Sequence, residues 1–578
     1  MNKSIHVCVI GAGVSGLPAI KSCLENDLLV TCYEKSSDIG GLWNYRPNQL
    51  ESDCGTVMKS TIVNTSKEIM AYSDFPPPAY YPNFMHNSFV QEYLRDYGET
   101  FGLLKYIKFG VGVVSLSINE EENGKYWKVE LTNGQVDFFD SVMLCTGHHS
   151  IPKYPKDMVG LDSFEGKVIH AKEYKDYKGF ENKDVFIVGI GNSALDIGVE
   201  LGKIAKSVTI STRRGSWVFN RCSQGGMPYD ILLMSRLYQK IMATIPWTVA
   251  NDFMEHRLQQ RMDHDMFGLR PDHRFFQQHP TVNDALANHL LSGMITVTED
   301  VAEILPTQVK VKNGTKFNAD IIIMATGYTF AFPYLQPQSL IPINDHVIDL
   351  YKHIFPPHQP NIAVIGLVQP IGALQPISEL QSRVAAQLFS GKLKLPPKQQ
   401  QISEIEENRK LMRKRYFDSN KHTLQVDMIP YLDSLAEMIS CVPPVSTYLW
   451  KDFKFWMQLY VGANVPYVYR LVGPNSWKGA RKAIEEVPER VKFPIKNREC
   501  RTRKHKKRGH LNEYFRYVSM KWIAGYTCLI VVSGVWTFCF GPTGMPIASY
   551  LLCVFMFLVL FSFMLLWFDM QYDMTTIF

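Results

Sequence analysis

The apolar positions of this chain fall into short unbroken runs, each stopped by glycine or by charge. The first run, His6 to Ile10 (HVCVI), opens directly onto Gly11-Ala12-Gly13-Val14-Ser15-Gly16. A helix-compatible stretch follows to about Glu25, and a second run, Leu28 to Glu34 (LLVTCYE), ends on an acid. Strand, GxGxxG, helix, strand, acid is the order of a Rossmann dinucleotide-binding unit. The glycines allow a tight turn and bring backbone close to a pyrophosphate, whose charge sits at the helix N-terminus. Glu34 is placed to accept hydrogen bonds from a ribose diol.

The pattern returns downstream. Asp184 to Val188 enters Gly189-Ile190-Gly191-Asn192-Ser193-Ala194, a helix is expected through about Lys203, and the next strand, Ser207 to Thr212, runs into Arg213 and Arg214. A ribose 2′-phosphate repels an acid and favours guanidinium. The first unit therefore suits a ligand with free ribose hydroxyls, and the second suits NADPH. Asn192 and Ser193 are candidates to touch phosphate or ribose; the alternative for Ser193 is a helix cap. Two dinucleotide folds in one chain imply electron transfer between nucleotides, with NADPH as hydride donor and FAD as acceptor the natural pair. Two more strands, ending at Gly147 (SVMLCTG) and at Thr326-Gly327-Tyr328 (DIIIMATGY), read as the points where the chain crosses between the folds.

Composition and charge add limits. A chain of 578 residues needs more than one core. The net charge of +6 is concentrated in one run, Arg498 to Arg508, which argues against a nucleic-acid partner. Eleven cysteines without metal-ligand spacing suit reduced thiols in a cytosol-facing protein. No signal peptide is evident, since the first strand begins at His6. Two apolar runs, Trp522 to Phe540 and Ile547 to Phe568, are split by Gly541-Pro542 and Pro546. Each is close to the roughly 20 residues that cross a bilayer. A helical hairpin is expected, or one span with a monotopic segment, and the basic run should stay cytosolic.

The fold class expected is α/β: two Rossmann-like domains, a helical insert and a C-terminal transmembrane anchor. The FAD-binding domain takes 1–155 and 331–445, the NADPH-binding domain 156–216 and 297–330. The insert, 217–296, shapes the substrate route or merely packs; Asp230 to Ile245 reads as one of its helices. A helical region with the basic linker follows over 446–515, then the anchor over 516–568.

Three further elements carry a family resemblance. Phe164-Glu165-Gly166 through His170 to Tyr174 fits FxGxxxHxxx(F/Y), Gly40-Gly41-Leu42-Trp43 fits GGxW, and Ala325 to Tyr328 fits ATGY. In this order they resemble the flavin-containing monooxygenases, class B flavoproteins, over nearly all of residues 1 to 490. The resemblance implies FAD and NADPH as cofactors, O₂ and a small molecule as substrates, and an endoplasmic-reticulum membrane location with the catalytic domains facing the cytosol. It implies a C4a-hydroperoxyflavin that oxygenates soft nitrogen or sulfur. Asn64 then matches the active-site asparagine, with Thr65 beside it, and Gly41, Leu42, Trp43, Thr326 and Gly327 join the cofactor-binding set. His170 is a general acid or base, or else a histidine that orders the linker; the second reading is preferred.

The runs Asp263 to Arg274, His279 to Asp284 and Gln375 to Gln381 look closest to the fifth vertebrate form, a branch associated with Baeyer–Villiger oxidation of ketones. A metal reading of the first run is set aside. Ala287-Asn288-His289 and Val384 depart from the family pattern and bear on substrate range. The alternatives are an uncoupled NADPH oxidase releasing H₂O₂, a disulfide reductase lacking its cysteine pair, and a nucleotide sensor without turnover. A homo-oligomer is left open.

Overall fold

The computed structural model describes residues 4–47, 55–119, 126–155, 157–223, 226–344, 347–416 and 424–496. The chain divides into two compact units, Met1–Val491 and Lys492–Phe578, and both glycine-loop sheets lie in the first. The basic run and the two apolar runs lie outside the described residues. Among the described residues no helix is long and apolar enough to cross a membrane.

Ten strands build two parallel sheets. In chain order they are β1 (His6–Ile10), β2 (Leu29–Glu34), β3 (Ile107–Phe109), β4 (Ser141–Leu144) and β5 (Lys167–His170). Then come β6 (Asp184–Val188), β7 (Ser207–Ser211), β8 (Thr296–Thr298), β9 (Ile321–Met324) and β10 (Ile362–Val364). The first sheet runs β10-β4-β1-β2-β3 and the second β8-β7-β6-β9-β5. Every residue of β4, β6 and β9 is buried, because one face of each sheet packs on helices and the other on antiparallel strands.

Each sheet centres on the strand that enters a glycine loop. Helix α1 (Gly16–Leu24) leaves the first loop; α2 (Asn87–Thr100) packs beside the GGxW turn; α3 (Asn192–Leu201) leaves the second loop. The helix expected over Asp230 to Ile245 is in fact two, α4 (Tyr229–Leu233) and α5 (Arg236–Thr244). Ser235 breaks it. Its backbone is extended at φ −121°, and its Oγ accepts from Tyr238 N–H, capping α5. Pro246 then starts α6 (Trp247–Arg261). A short helix, α7 (Leu286–Leu291), carries the departures Ala287 to His289, with the His289 ring buried near Gly202 at the end of α3.

Helix α8 (Leu374–Phe389) packs along α1 and is almost wholly buried, Val384 included. That burial takes in Glu379, which needs a partner. Arg470, itself 1% exposed, supplies it at 2.8 Å and also reaches Asp74 at 3.2 Å.

Candidate active site

The two loops share one construction. Gly11 has φ +98°, and a Cβ there would stand 2.8 Å from the carbonyl oxygen of Cys145, just past β4. Gly189 has φ +116°, and its Cβ would stand 2.5 Å from the carbonyl oxygen of Ala325, just past β9. Only glycine meets both demands. In the first loop Gly16 abuts the Gly11 carbonyl, Gly13 packs on Gly41, and the Val14 carbonyl accepts from Tyr72 Oη. Ser15 Oγ is 3.0 Å from Ser378 Oγ on α8. The GGxW turn, Gly41–Trp43, thus lies directly on the loop, with Leu42 bonded to Val57 and Trp43 half-buried.

The loops differ in what ends the second strand. Glu34 is buried; its Oε2 accepts from Ala12 N–H at 2.7 Å and its Oε1 accepts from Ser36 N–H and Oγ. The acid therefore ties down the glycine loop itself. The strand register pairs Ile10 with Tyr33 and Val188 with Ser211. That puts Thr212 at the place of Glu34, so Arg213 and Arg214 follow one and two positions later rather than replacing the acid. Both arginines are exposed.

Asn192 Oδ1 accepts from Val282 N–H at 2.8 Å, and Ala194 is buried against the sheet. Ser193 is exposed and does not cap α3. Gly191 occupies the cap position with no side-chain cap bond.

Both loops fit a dinucleotide. Gly191 tests this directly, because a Cβ there would meet no protein atom within 4 Å. It would project only into the space at the N-terminus of α3, a position at which a helix can hold a phosphate.

The segment between the folds is held by specific bonds. His170 is fully buried; its Nδ1 accepts from Lys172 N–H, so its Nε2–H donates to the Gly327 carbonyl at 3.1 Å. Both ring nitrogens are engaged within the linker, and burial lowers the ring's pKa. Thr326 Oγ1 donates to the Lys153 carbonyl. Phe164 packs on the second sheet, and Gly166 leaves room for its ring. Tyr174 Oη donates to Glu200 Oε2 at 3.0 Å, and Ser60 Oγ donates to the same oxygen at 2.9 Å. One carboxylate on α3 therefore joins the second fold to the linker and to the first fold.

Asn64 is exposed and Thr65 half-buried. Arg221, from the insert, donates Nη2 to Asn64 Oδ1 at 2.7 Å, Nε to the Val63 carbonyl, and Nη1 to Asp284 at 2.8 Å. A guanidinium only donates, so it must hold the amide oxygen. That leaves the amide nitrogen as the donor end of the side chain. Asp230 accepts from Ser66 N–H at 2.5 Å, and burial raises its pKa to about 6. Asp196, on α3, is raised to about 6 by burial against the pull of Arg221.

Arg221 and Glu200 escaped the sequence reading, and Asp230 and Asp284 entered it only as the ends of a helix and of a family-like run. His264, in the Asp263 to Arg274 run, accepts from Val218 N–H on Nε2 and faces the Met262 carbonyl with Nδ1.

Two glycine-loop sheets, cross-bonded through one linker, define a two-nucleotide oxidoreductase. The chain matches the family described as flavin-binding monooxygenase-like over residues 4–526. It is 44% identical over 501 residues to flavin-containing monooxygenase 5 of Rattus norvegicus, covering 85% of this chain and 93% of that protein. It is 41% identical over 504 residues to the N-oxide-forming dimethylaniline monooxygenase 2 of Rattus norvegicus, covering 86% and 94%. Among solved structures, S-allyl-L-cysteine S-oxygenase from Allium sativum superposes with a TM-score of 0.58 at 22% identity, covering 84% of this chain and 98% of that one. A caprolactone-bound cyclohexanone monooxygenase gives 0.57 at 18% identity, covering 76% and 98%. Those likenesses show the fold.

The chain belongs to the flavin-binding monooxygenase family, and it is an NADPH- and O₂-dependent flavoprotein with FAD and NADPH as cofactors.

Proposed function

We propose that this enzyme inserts one oxygen atom into soft nucleophilic nitrogen or sulfur centres of small molecules. The observation that carries the reading is the amide of Asn64, fixed by Arg221. The groups gathered there are a neutral amide, a paired guanidinium and a carboxylate. The amide and the guanidinium are not nucleophiles and the Asp284 carboxylate is held by Arg221, which fits a substrate that brings its own electron pair. The names of the relatives, one of them an N-oxide-forming enzyme, support the same class.

Bound FAD supplies the hydride acceptor and the centre that activates O₂. The residues do the rest. The Gly11 to Gly16 loop with Glu34, Leu42 and Trp43 seats the FAD. Gly189 to Ala194 seats the NADPH diphosphate, and Arg213 with Arg214 reads its 2′-phosphate. Asn64, with Thr65, donates a neutral hydrogen bond at the reacting edge without releasing a proton. The insert walls that edge against water.

The test is NADPH consumption by the detergent-solubilised full chain, with H₂O₂ release followed in parallel. It is run without substrate, with a thioether or tertiary amine, and with an aliphatic ketone. Oxygenated amine or sulfide with falling peroxide is the expected result. Oxygenation of the ketone alone replaces it by Baeyer–Villiger chemistry, and peroxide matching NADPH throughout replaces it by oxidase chemistry. Arg221→Met should raise the peroxide fraction severalfold while flavin stays bound; unchanged coupling would remove the Arg221–Asn64 pair from the site.

The proposal extends to placement. The apolar runs 522–540 and 547–568 hold the protein on the endoplasmic-reticulum bilayer, with both nucleotide sites on the cytosolic side. A chain ending before residue 516 should leave the membrane fraction; if it stays there, those runs are not the anchor.

A further inference from the structure

Arg46 lies three residues beyond the Gly41–Trp43 turn. Its Nη2 faces the carbonyls of Gly41 and Gly55 at 3.4 Å each, long for hydrogen bonds. Its Nε and Nη1 are buried and have no hydrogen-bond partner among the described residues. An arginine cannot shed its proton to relieve this, and a buried unpaired donor on a charged group is costly.

The neighbourhood adds charge of the same sign. Lys175 Nζ donates to the Lys172 carbonyl at 2.6 Å, and Lys172 Nζ donates to the Ser150 carbonyl at 2.7 Å. Burial, with Lys172 and Arg46 alongside, pushes the Lys175 amine down to about 8. Glu173, the acid that acts on Lys175 in the opposite sense, accepts from His170 N–H. Lys172 and Arg46 thus add like charge beside Lys175 against one acid, and two of the arginine's nitrogens have no partner among the described residues.

The location says which anion. Gly41, whose carbonyl Arg46 faces, packs on Gly13 of the first glycine loop. Ser150 follows the turn that ends β4 at Gly147, and Lys175 is bonded through its carbonyl to Lys59 N–H of the first fold. The cluster therefore stands outside the carboxyl ends of the first sheet's strands, on the side facing the linker. In open α/β sheets that crevice is the ligand site. A guanidinium with open donors on two of its edges suits a group that offers several oxygens, as a diphosphate does.

We propose that Arg46 and Lys175 form a seat for a dinucleotide diphosphate between the two folds. The inference rests on the cofactor assignment and is independent of the substrate reading. It adds cationic contacts to a nucleotide that the glycine loops hold only by backbone.

The experiment uses purified full-chain holoenzyme and never reads turnover. FAD release is followed by the rise of flavin fluorescence on dilution, and NADP⁺ affinity by calorimetry, for wild type, Arg46→Gln and Lys175→Met. Loss of at least about ten-fold in FAD retention, with NADP⁺ affinity kept, assigns the seat to the flavin diphosphate. The same loss for NADP⁺, with flavin kept, assigns it to the NADPH diphosphate. Arg46→Lys should recover part of either loss. If Arg46→Gln does not fold, Lys175→Met decides alone. Both nucleotides bound within about two-fold of wild type in the folded variants overturns the proposal.

Discussion

The two glycine loops make a controlled comparison inside one chain. They share the first glycine, its positive φ and its contact with the strand that ends in Thr-Gly. They part at the end of the next strand. In the first fold Glu34 turns inward and bonds the loop, so the site is braced before any ligand arrives. In the second, Thr212 takes that register and the charged groups, Arg213 and Arg214, face outward. The braced site suits a cofactor that stays, and the open one suits a cofactor that enters and leaves every cycle.

The largest expected effect breaks the braced site. Gly11→Ala should cost about 2–4 kcal/mol and yield protein without flavin, because the new Cβ meets the Cys145 carbonyl at a strained φ. Gly191→Ala, whose Cβ meets nothing, should melt like wild type and yet bind NADPH more weakly. Equal melting losses in the two variants would erase the distinction.

Next, Arg213→Gln with Arg214→Gln should weaken NADPH about 10–100-fold and leave NADH and thermal stability almost unchanged. Equal losses for both nucleotides would remove the 2′-phosphate role. Glu34→Gln should do the reverse, costing about 1–3 kcal/mol of stability with little effect on NADPH. Melting curves beside NADPH titration check both.

The smallest effect concerns Asp196, which stands between the folds. Its folded pKa, about 6, lies above the ordinary carboxylate value of 3.8, so the folded chain keeps a proton that the unfolded chain releases between those values. Its contribution to stability therefore falls as pH rises from about 4 to 6. Asp196→Asn should gain about 1–2 kcal/mol on wild type between pH 4.5 and 7.5. A pH-independent difference would mean that this carboxyl titrates normally.

What was legible in the sequence was what local pattern encodes. A strand, a glycine loop and a helix occupy adjacent residues, so β1 was read to the residue and α1 to within one. The arginine register was not, because position after a strand depends on pairing with a neighbour. The break at Ser235 was hidden because a serine cap inside an apolar stretch looks like a polar helix residue. Arg221 and Glu200 were invisible because their partners, Asn64 and Ser60, are far away in the chain. The donor set around Asn64 is thus a product of how the two folds meet.

Strand β10 has a consequence for the order of synthesis. It is an edge strand of the first sheet, yet the ribosome reaches it only after the whole second sheet has been made. At roughly 5–20 residues per second, the wait between Leu144 and Ile362 is on the order of tens of seconds. During that time β4 has an open edge and α1 lacks the helix it packs against. The second sheet can close as soon as β9 emerges, so the nascent chain completes its second glycine-loop fold before its first.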